Sequence, residues 1–298
     1  MSRPRVVIVA KRTLYGRYVE DEDDLRARQL VSRHDRSVSN WLAVHEEHKR
    51  TLEAVRTALH RLGAQVFLVR QAGAQFDPTD ADLVVAVGGD GTLLAASHNV
   101  KRTPILGINS APRYSVGSYC AGRRGTLGRL LPAALDGSLP SVALTRMRLT
   151  VNGHLRSARI LNEVLFCHRC PAATSRYIIG CGRRREEHRS SGFWIGTAAG
   201  SAGAQRSAGG KVLPLTSQQL QLVVREPYRM PGKEYRLLRA IVEPGHRVTA
   251  KSKMQDARMF LDGPYKQLRV ALGDVVTFSP TGDPLNVLGL TARRARRR

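Results

Sequence analysis

The chain is poor in aromatic residues and cysteine, and it has no long apolar run. Phe, Trp and Tyr make up 5% of its 298 residues, which argues against a surface that stacks a series of nucleic-acid bases. Four cysteines do not make the disulfide framework of a small secreted protein, so we expect reduced thiols. No apolar run approaches the roughly 20 residues that a membrane-spanning helix needs. The first residues, MSRPRVVIVAKRT, lack the apolar region and cleavage site of a signal peptide. We therefore expect a cytoplasmic protein with no membrane partner.

Acidic residues are also scarce, with 24 Asp and Glu against 48 Lys and Arg and a formal net charge of +24. Such a charge suits a nucleic-acid-binding protein. It equally suits a protein that carries arginine on solvated faces and attracts a phosphate-rich substrate. We favour the second interpretation, because the basic residues are scattered and no known nucleic-acid-binding signature is present. The exception is the run from Arg293 to Arg298, which is typical of a disordered basic tail.

The cysteine spacing offers little support for a bound metal. Cys167 and Cys170 form a C-x-x-C pair, and His168 and His188 could add ligands. A structural zinc site needs four ligands and usually a second closely spaced pair, which this sequence does not have. We therefore predict that no metal site is formed by a protein ligand set of this kind.

The first 140 residues alternate between short apolar runs and helical patterns. Strands are predicted at 6–10, 65–69, 83–87 and 104–109, helices at 38–62 and 126–135, and a loose insertion or helix at 19–36. This alternation predicts a doubly wound, Rossmann-like α/β domain over residues 1–140 with a parallel sheet. Lys11 and Arg12 follow the first strand at the sheet edge where ligands gather. They are candidates for phosphate contact, and ordinary loop charges are an equal alternative.

The pattern changes near Ser141. Residues 141–151 and 154–164 read as two strands joined by a tight turn at Asn152-Gly153. Strand-sized runs separated by Gly, Pro and Asp then continue to about residue 276. We predict a β-sandwich-like second domain over 141–276, followed by a return segment and the basic tail over 277–298. The fold class is therefore α/β plus β.

The stretch from Asp82 to His98 reads as a strand, a Gly-Gly-Asp-Gly-Thr turn and a helix. Glycines at 88, 89 and 91 can take positive φ and let a polyanion approach the backbone, and the helix N-terminus favours phosphate. Asp90 is the wrong residue for simply holding phosphate, since like charges repel. It suits a residue that accepts a proton from a hydroxyl or helps to hold magnesium. The alternative is that Asp90 only caps the helix.

Three further motifs lie in the second half. Asn162 and Glu163 place an amide beside a carboxylate, which together can hydrogen-bond a ribose or an adenine edge. The small-residue loop 197–204 permits close contact with a flat ligand. Asp262 lies at a strand-to-turn corner. Each feature also has an ordinary explanation. An Asn-Glu pair is common on protein surfaces, a run of small residues can form a packed turn, and an Asp at a strand end is common in turns.

Taken in order, GGDGT, LNE, SSG, TAAGS, SAGG and LDG resemble the NAD kinase family from about residue 82 to 288. The first motif is shared with diacylglycerol and sphingosine kinases and with 6-phosphofructokinases, so the later motifs make the distinction. The branch of plant-type NADH kinases and animal mitochondrial NAD kinases is the most similar. The segments that resemble this branch are GINSAP at 107–112, CPA at 170–172 with Ser175-Arg176, Ser190-Ser191-Gly192 and VREP at 224–227.

The resemblance implies transfer of the γ-phosphoryl group of ATP, with Mg²⁺, to the 2′-hydroxyl of the adenosine ribose of NAD or NADH, by a homodimer. It implies that Asp90 accepts the hydroxyl proton and that Asn162 and Glu163 bind the dinucleotide. The other binding residues that it implies are Gly89, Gly91, Thr92, Arg176, Thr197, Ser201, Ala202, Gly203, Ala204 and Asp262.

The sequence departs from the family at three positions. Ala202 and Ala204 replace a hydroxyl and an aromatic residue of the commoner loop, and Ala111 replaces an acid. The preference for NAD or NADH therefore stays open. A lipid kinase, a nucleic-acid-binding protein and a non-catalytic NAD-binding sensor remain alternatives.

Overall fold

The computed structural model describes residues 3–228, 232 and 234–291, so the basic tail at 293–298 lies outside the described residues. Within these ranges, no helix is both long and apolar enough to cross a membrane. The chain divides into two compact units. The first extends to Val142 and takes up Asn286–Thr291, and the second covers Ala143–Leu285. The segment that returns to the first unit thus begins at Asn286 rather than at 277, because Val275–Pro280 is a strand of the second unit.

The first unit contains a seven-stranded sheet and four helices of eight or more residues among the residues described. Its strands are β1 Arg5–Ala10, β2 Gln65–Val69, β3 Leu83–Gly88, β4 Ile105–Asn109, β5 Gly122–Arg123, β6 Ser141–Leu144 and β19 Leu285–Leu288. Its helices are α1 Leu25–Ser32, α2 Trp41–Arg61, α3 Asp90–Ser97 and α4 Leu127–Leu135, with short helical turns at Gly16–Asp21, Arg36–Val38 and Arg124–Thr126.

The sheet has the order β2-β1-β3-β4-β19-β6, with β5 also paired to β4. Strands β1 to β5 and β19 pair in parallel, as the Rossmann-like interpretation predicts. The central strands are apolar throughout because helices cover both faces. Val55 and Leu59 of α2 pack with Leu131 of α4 on one face. Helix α3 covers the other, where a Cβ on Gly107 would lie 3.1 Å from Cδ1 of Leu93.

The charged segment before α2 is helical, which is one of the two alternatives predicted for residues 19–36. Residues 19–36 contribute to a π-helical turn and to α1, whose first turn is capped by Asp24 through a bond from Ala27 N at 2.8 Å. The side chain of Asp35 accepts from Ser37 N at 2.8 Å and supports a separate 3₁₀ turn. Helix α2 therefore begins at Trp41 rather than at Val38.

The second unit is a sandwich of two six-stranded antiparallel sheets, with the orders β11-β10-β15-β18-β7-β8 and β14-β13-β12-β9-β16-β17. Their inner faces share one apolar core, in which the rings of Phe193 and Tyr177 lie 5.0 Å apart and those of Phe193 and Phe278 lie 6.1 Å apart. The strands are β7 Met147–Val151, β8 His154–Ile160, β9 Glu163–His168, β10 Ser175–Cys181, β11 Arg184–Ser190, β12 Phe193–Thr197, β13 Leu220–Val224, β14 Arg239–Val242, β15 Val248–Ser252, β16 Ala257–Leu261, β17 Lys266–Val270 and β18 Val275–Pro280, with α5 at Ala204–Ser207.

The hairpin turn at Asn152-Gly153 is confirmed, since both residues have positive φ, 50° and 81°, as a type I′ turn requires. The single strand predicted over 141–151 is wrong, because β6 and β7 belong to different sheets. Between them the buried guanidinium of Arg146 donates to the carbonyl of Asp283 at 2.7 Å and pairs with its carboxylate at 2.9 Å. The single return strand over 154–164 is also wrong, because the chain leaves β8 after Ile160 and starts β9 at Glu163.

Candidate active site

The glycine turn is shaped by close packing rather than by left-handed backbone. Gly88 ends β3, and Gly89 precedes α3 with extended φ of −121°. The expectation of positive φ is wrong, since none of the three glycines has it. A Cβ on Gly88 would lie 2.0 Å from Oγ1 of Thr92, and one on Gly89 would lie 2.5 Å from Oγ of Ser115. Gly91 has no atom within 4 Å of its Cβ position, so the turn is open to a ligand there.

Asp90 is the first residue of α3, and it does not cap its own helix. Gly89 occupies the N-cap position, and its carbonyl accepts from Thr92 N at 3.0 Å. The carboxylate of Asp90 instead accepts a hydrogen bond from Tyr119 N at 2.7 Å. The capping alternative is therefore wrong. Asp90 is oriented by a separate loop and lies where the helix dipole favours a negative charge.

That loop, residues 110–121, is a supporting element that the sequence analysis missed. Ser110 N donates to the carbonyl of Gly88 at 2.9 Å. Asn109 fixes the loop from the end of β4, because its Nδ2 donates to the carbonyl of Ser115 at 2.9 Å and its Oδ1 accepts from Ala111 N at 3.2 Å. Burial, with the charge of Asp90 adding, raises the pKa of Cys120 to about 12. The neighbouring thiol is therefore protonated and inert.

The second group of predicted residues lies on the second unit and is organised by Asp262. Its carboxylate accepts from the main-chain N–H groups of Leu161 at 2.8 Å, Asn162 at 2.7 Å and Glu163 at 3.2 Å. Asp262 reaches them from a left-handed corner, with φ of 52°, immediately after β16. These three bonds hold the chain where it passes from β8 to β9. Asp262 therefore positions Asn162 and Glu163 through their backbone.

Glu163 is packed against two glycines of the neighbouring strand and loop. A Cβ added to Gly200 would lie 2.3 Å from Oε2 of Glu163, and a Cβ added to Gly196 would lie 2.7 Å from the Cβ of Glu163. Burial, reinforced by the charge of Asp262, raises the pKa of Glu163 to about 8. At pH 7 the carboxyl group is mostly protonated and can donate a hydrogen bond as well as accept one.

The small-residue loop divides into an inner and an outer part. Thr197 and Ser201 are fully buried, and their hydroxyls are engaged with main chain. Thr197 donates to the carbonyl of Leu161, while Ser201 Oγ donates to the carbonyl of Ala198 at 2.7 Å and accepts from Leu213 N at 2.9 Å. Ala202 and Gly203 are exposed and Ala204 is partly exposed. The segment 202–204 is therefore the part of the loop that a ligand can reach.

A cavity of about 510 Å³ opens beside Glu163 on the second unit. Leu165, Trp194 and Phe260 line it with apolar surface, and Arg225 places its guanidinium 5.9 Å from the centre of the Trp194 ring. The size and lining suit a small organic ligand. Sequence reasoning missed this cavity, although the alternation along β9, with Val164 and Phe166 in the core, identifies Leu165 as facing the opposite side of the sheet.

Arg176 is predicted to bind the ligand, and its neighbour in the chain, Ser175, lines the same cavity as Glu163. Arg176 lies on β10, in the other sheet of the sandwich, at an exposed position opposite Arg189. Its side chain has no hydrogen bond or ion pair with any residue that the structure describes. No cluster of three or more His, Cys, Asp or Glu side chains suited to a metal occurs among the described residues. Cys167 and Cys170 are free thiols.

The chain is similar to known proteins both in sequence and in fold. Residues 7–114 match the family model described as the ATP-NAD kinase N-terminal domain. A probable NADH kinase of Oryza sativa subsp. japonica is 32% identical over 263 residues, which cover 81% of this chain and 81% of the rice protein. An NADH kinase of Arabidopsis thaliana is 33% identical over 259 residues, covering 73% of this chain and 76% of that protein. The crystal structure of an NAD kinase from Archaeoglobus fulgidus in complex with ATP shares the fold, with a TM-score of 0.64, 21% identity and coverage of 99% of this chain and 95% of that chain.

Proposed function

This chain belongs to the NAD kinase family, and we propose that it transfers the γ-phosphoryl group of ATP to the 2′-hydroxyl of the adenosine ribose of NAD or NADH. The products are ADP and NADP or NADPH. The observation that carries the proposal in this chain is Asp90, a carboxylate held by Tyr119 N at the start of α3 on a glycine turn that is open at Gly91.

In this proposal Asp90 accepts the proton of the 2′-hydroxyl as the oxygen attacks the γ-phosphorus. A positioned carboxylate contributes about 10²- to 10⁴-fold as a general base. The bond from Tyr119 N supports this role, because it fixes one carboxylate oxygen and thereby the direction of the other. Phosphoryl transfer depends mainly on alignment and on neutralisation of charge, so a rigid base on a packed turn is well suited to it.

In the proposed reaction, the donor phosphates lie against Gly89, Gly91 and Thr92. The space at Gly91 and the N-terminal end of α3 both favour a phosphate group. Mg²⁺ is commonly held by one or two carboxylates together with substrate phosphates rather than by an all-protein cage. Asp90 beside the donor phosphates fits that arrangement, and the bound ion would neutralise charge on the transferred group.

Asn162, Glu163 and the loop segment 202–204 bind the dinucleotide. Glu163, whose raised pKa keeps it mostly protonated at pH 7, offers both a donor and an acceptor to ribose hydroxyls. Thr197, Ser201 and Asp262 act indirectly, because their polar atoms hold the backbone of the site. Arg176, exposed and without an ion pair among the described residues, is available to a phosphate that approaches its sheet.

We further propose a cytoplasmic homodimer. The resemblance to the family supports the dimer, and the four cysteines, none of them in a disulfide, suit a reducing compartment. The molar mass of the purified protein, measured by light scattering, tests the dimer. Fractionation of cells that produce the protein tests the compartment.

The function is tested with the purified protein, Mg²⁺ and ATP, by offering NAD and NADH separately and measuring NADP and NADPH formed. Product from either substrate supports the kinase activity, and the amounts of NADP and NADPH formed show which dinucleotide is preferred. Binding of NAD without product would favour the non-catalytic sensor and contradict the proposal.

A further inference from the structure

Lys11 is placed beside the glycine turn by the pairing of β1 with β3. Its main-chain N–H donates to the carbonyl of Val87 at 3.0 Å, one residue before Gly88. A Cβ on Gly88 would lie 3.0 Å from the Cβ of Lys11. The side chain of Lys11 therefore starts next to the first glycine of the turn that carries Asp90.

The ammonium group of Lys11 is poorly compensated. The side chain is half-buried, and burial lowers its pKa against the opposing effect of Glu47 on α2. No hydrogen bond or ion pair joins its Nζ to any residue within the described ranges. His48, also on α2, has its pKa lowered to about 4, mainly by burial and further by the positive charge of Lys11. It is therefore neutral at pH 7. A half-buried cation without a close partner is costly unless an anion joins it.

The neighbouring cation differs in this respect. Arg12 pairs with Asp21 at 2.9 Å and with Glu22 at 3.5 Å, so its charge is already compensated. The structure thus separates two residues that the sequence could not distinguish. Lys11 is free to take an anion, whereas Arg12 belongs to the ion pairs of the helical turn that follows β1.

We propose that Lys11 binds a phosphate group of the nucleotide donor at the Gly88–Gly91 turn. This inference rests on the proposed function, decides between the two cations that the sequence offers as phosphate contacts, and places one of them beside the turn that carries Asp90. Lysine binds phosphate as a point charge, and the ammonium group would offset negative charge on the donor that the carboxylate of Asp90 otherwise repels.

The test compares Lys11→Gln and Lys11→Arg with Arg12→Gln, the adjacent cation, as the matched control. Loss of one charge-assisted contact corresponds to about 10- to 100-fold in affinity. We expect Lys11→Gln to raise KM for ATP by about that factor, with KM for NAD within about twofold of the parent. Lys11→Arg should recover part of the loss, and Arg12→Gln should behave like the parent. Thermal unfolding of each variant reports whether the fold is retained.

An unchanged KM for ATP in Lys11→Gln, or an increase confined to KM for NAD, would overturn the inference. If the parent protein itself gives no product, the proposed function fails separately. Calorimetric titration of ATP into the parent and the Lys11→Gln variant then still decides the role of Lys11, since equal affinities would refute it. If Lys11→Gln does not fold, the same comparison is made with Lys11→Arg, whose altered head group should weaken ATP binding while Arg12→Gln does not.

Discussion

Oδ1 of Asp90 accepts a hydrogen bond from the main-chain N–H of Tyr119 at 2.7 Å. This bond couples the proposed base on α3 to the loop that follows β4. Asparagine at position 90 can accept the same bond through its amide oxygen, but it cannot take a proton. The contact therefore allows the structural and the chemical roles of Asp90 to be separated.

Asp90→Asn is expected to lower kcat by at least about 100-fold, the usual contribution of a general base. Binding of NAD and the melting temperature should stay close to those of the parent, because the bond from Tyr119 is kept. Steady-state kinetics, NAD titration and thermal unfolding on the same preparations measure this. A kcat within a few fold of the parent would remove Asp90 from proton transfer.

Gly88→Ala and Gly91→Ala form a matched pair in the same turn. An added Cβ at 88 would lie 2.0 Å from Oγ1 and 2.7 Å from Cβ of Thr92, so we expect a loss of about 1–3 kcal/mol in the free energy of unfolding. The same change at 91 meets no atom within 4 Å, so stability should be kept while KM for ATP rises. Urea unfolding of both variants gives the comparison. Equal stability of the two would contradict the packing argument.

Asp262→Ala removes the acceptor of three main-chain N–H groups, those of Leu161, Asn162 and Glu163. We expect a loss of about 3 kcal/mol in the free energy of unfolding and a higher KM for NAD, with KM for ATP little changed. Asp262→Asn retains one acceptor oxygen and should be intermediate in both properties. An Asp262→Ala variant with the parent's KM for NAD would show that the turn at 161–163 holds its shape without this carboxylate.

The raised pKa of Glu163 makes the free energy of unfolding depend on pH. The pKa of this residue is raised from 4.5 to about 8, mainly by burial. Between these values the folded protein keeps a proton that the unfolded chain has released, so this residue lowers the free energy of unfolding as pH rises through that window. The Glu163→Gln variant has no titratable group at this position, so it does not show this loss of stability. Its stability relative to the parent should therefore increase between about pH 5 and about pH 9, by about 4 kcal/mol. A pH-independent difference between the two proteins would contradict the raised pKa.

Local pattern was sufficient for most of the first unit. The strand Gln65–Val69 has the predicted bounds, and β1, β3 and β4 differ from prediction by one residue at one end. Short apolar runs between charged or glycine-rich segments define buried parallel strands with little ambiguity. The second unit was predicted as a sandwich, but its strand ends depend on distant residues. The break between β8 and β9 is held by Asp262, 100 positions from Asn162, and the break between β6 and β7 involves Asp283, 137 positions from Arg146.

The candidate site likewise combines features that follow from local sequence with features that depend on distant residues. Motifs are sufficient to nominate Asp90, Asn162 and Glu163 as candidate site residues, because each motif is short and local. The reason for glycine at 88 and 89 could not, since it depends on the side chains of Thr92 and Ser115 rather than on backbone φ. The burial that raises the pKa of Glu163, and the contrast between Lys11 and Arg12, likewise require the packed structure.

A single-turnover reaction with ATP radiolabelled in its γ-phosphate, Mg²⁺ and NAD or NADH tests whether the protein phosphorylates the dinucleotide. We expect the label to appear in the dinucleotide as a phosphate ester at the 2′ position of the adenosine ribose, identified by phosphorus NMR of the product. Asp90→Asn should give almost none of this product. Label that remains in ATP, or that appears only as free phosphate while NAD stays bound and unchanged, would contradict the proposed function.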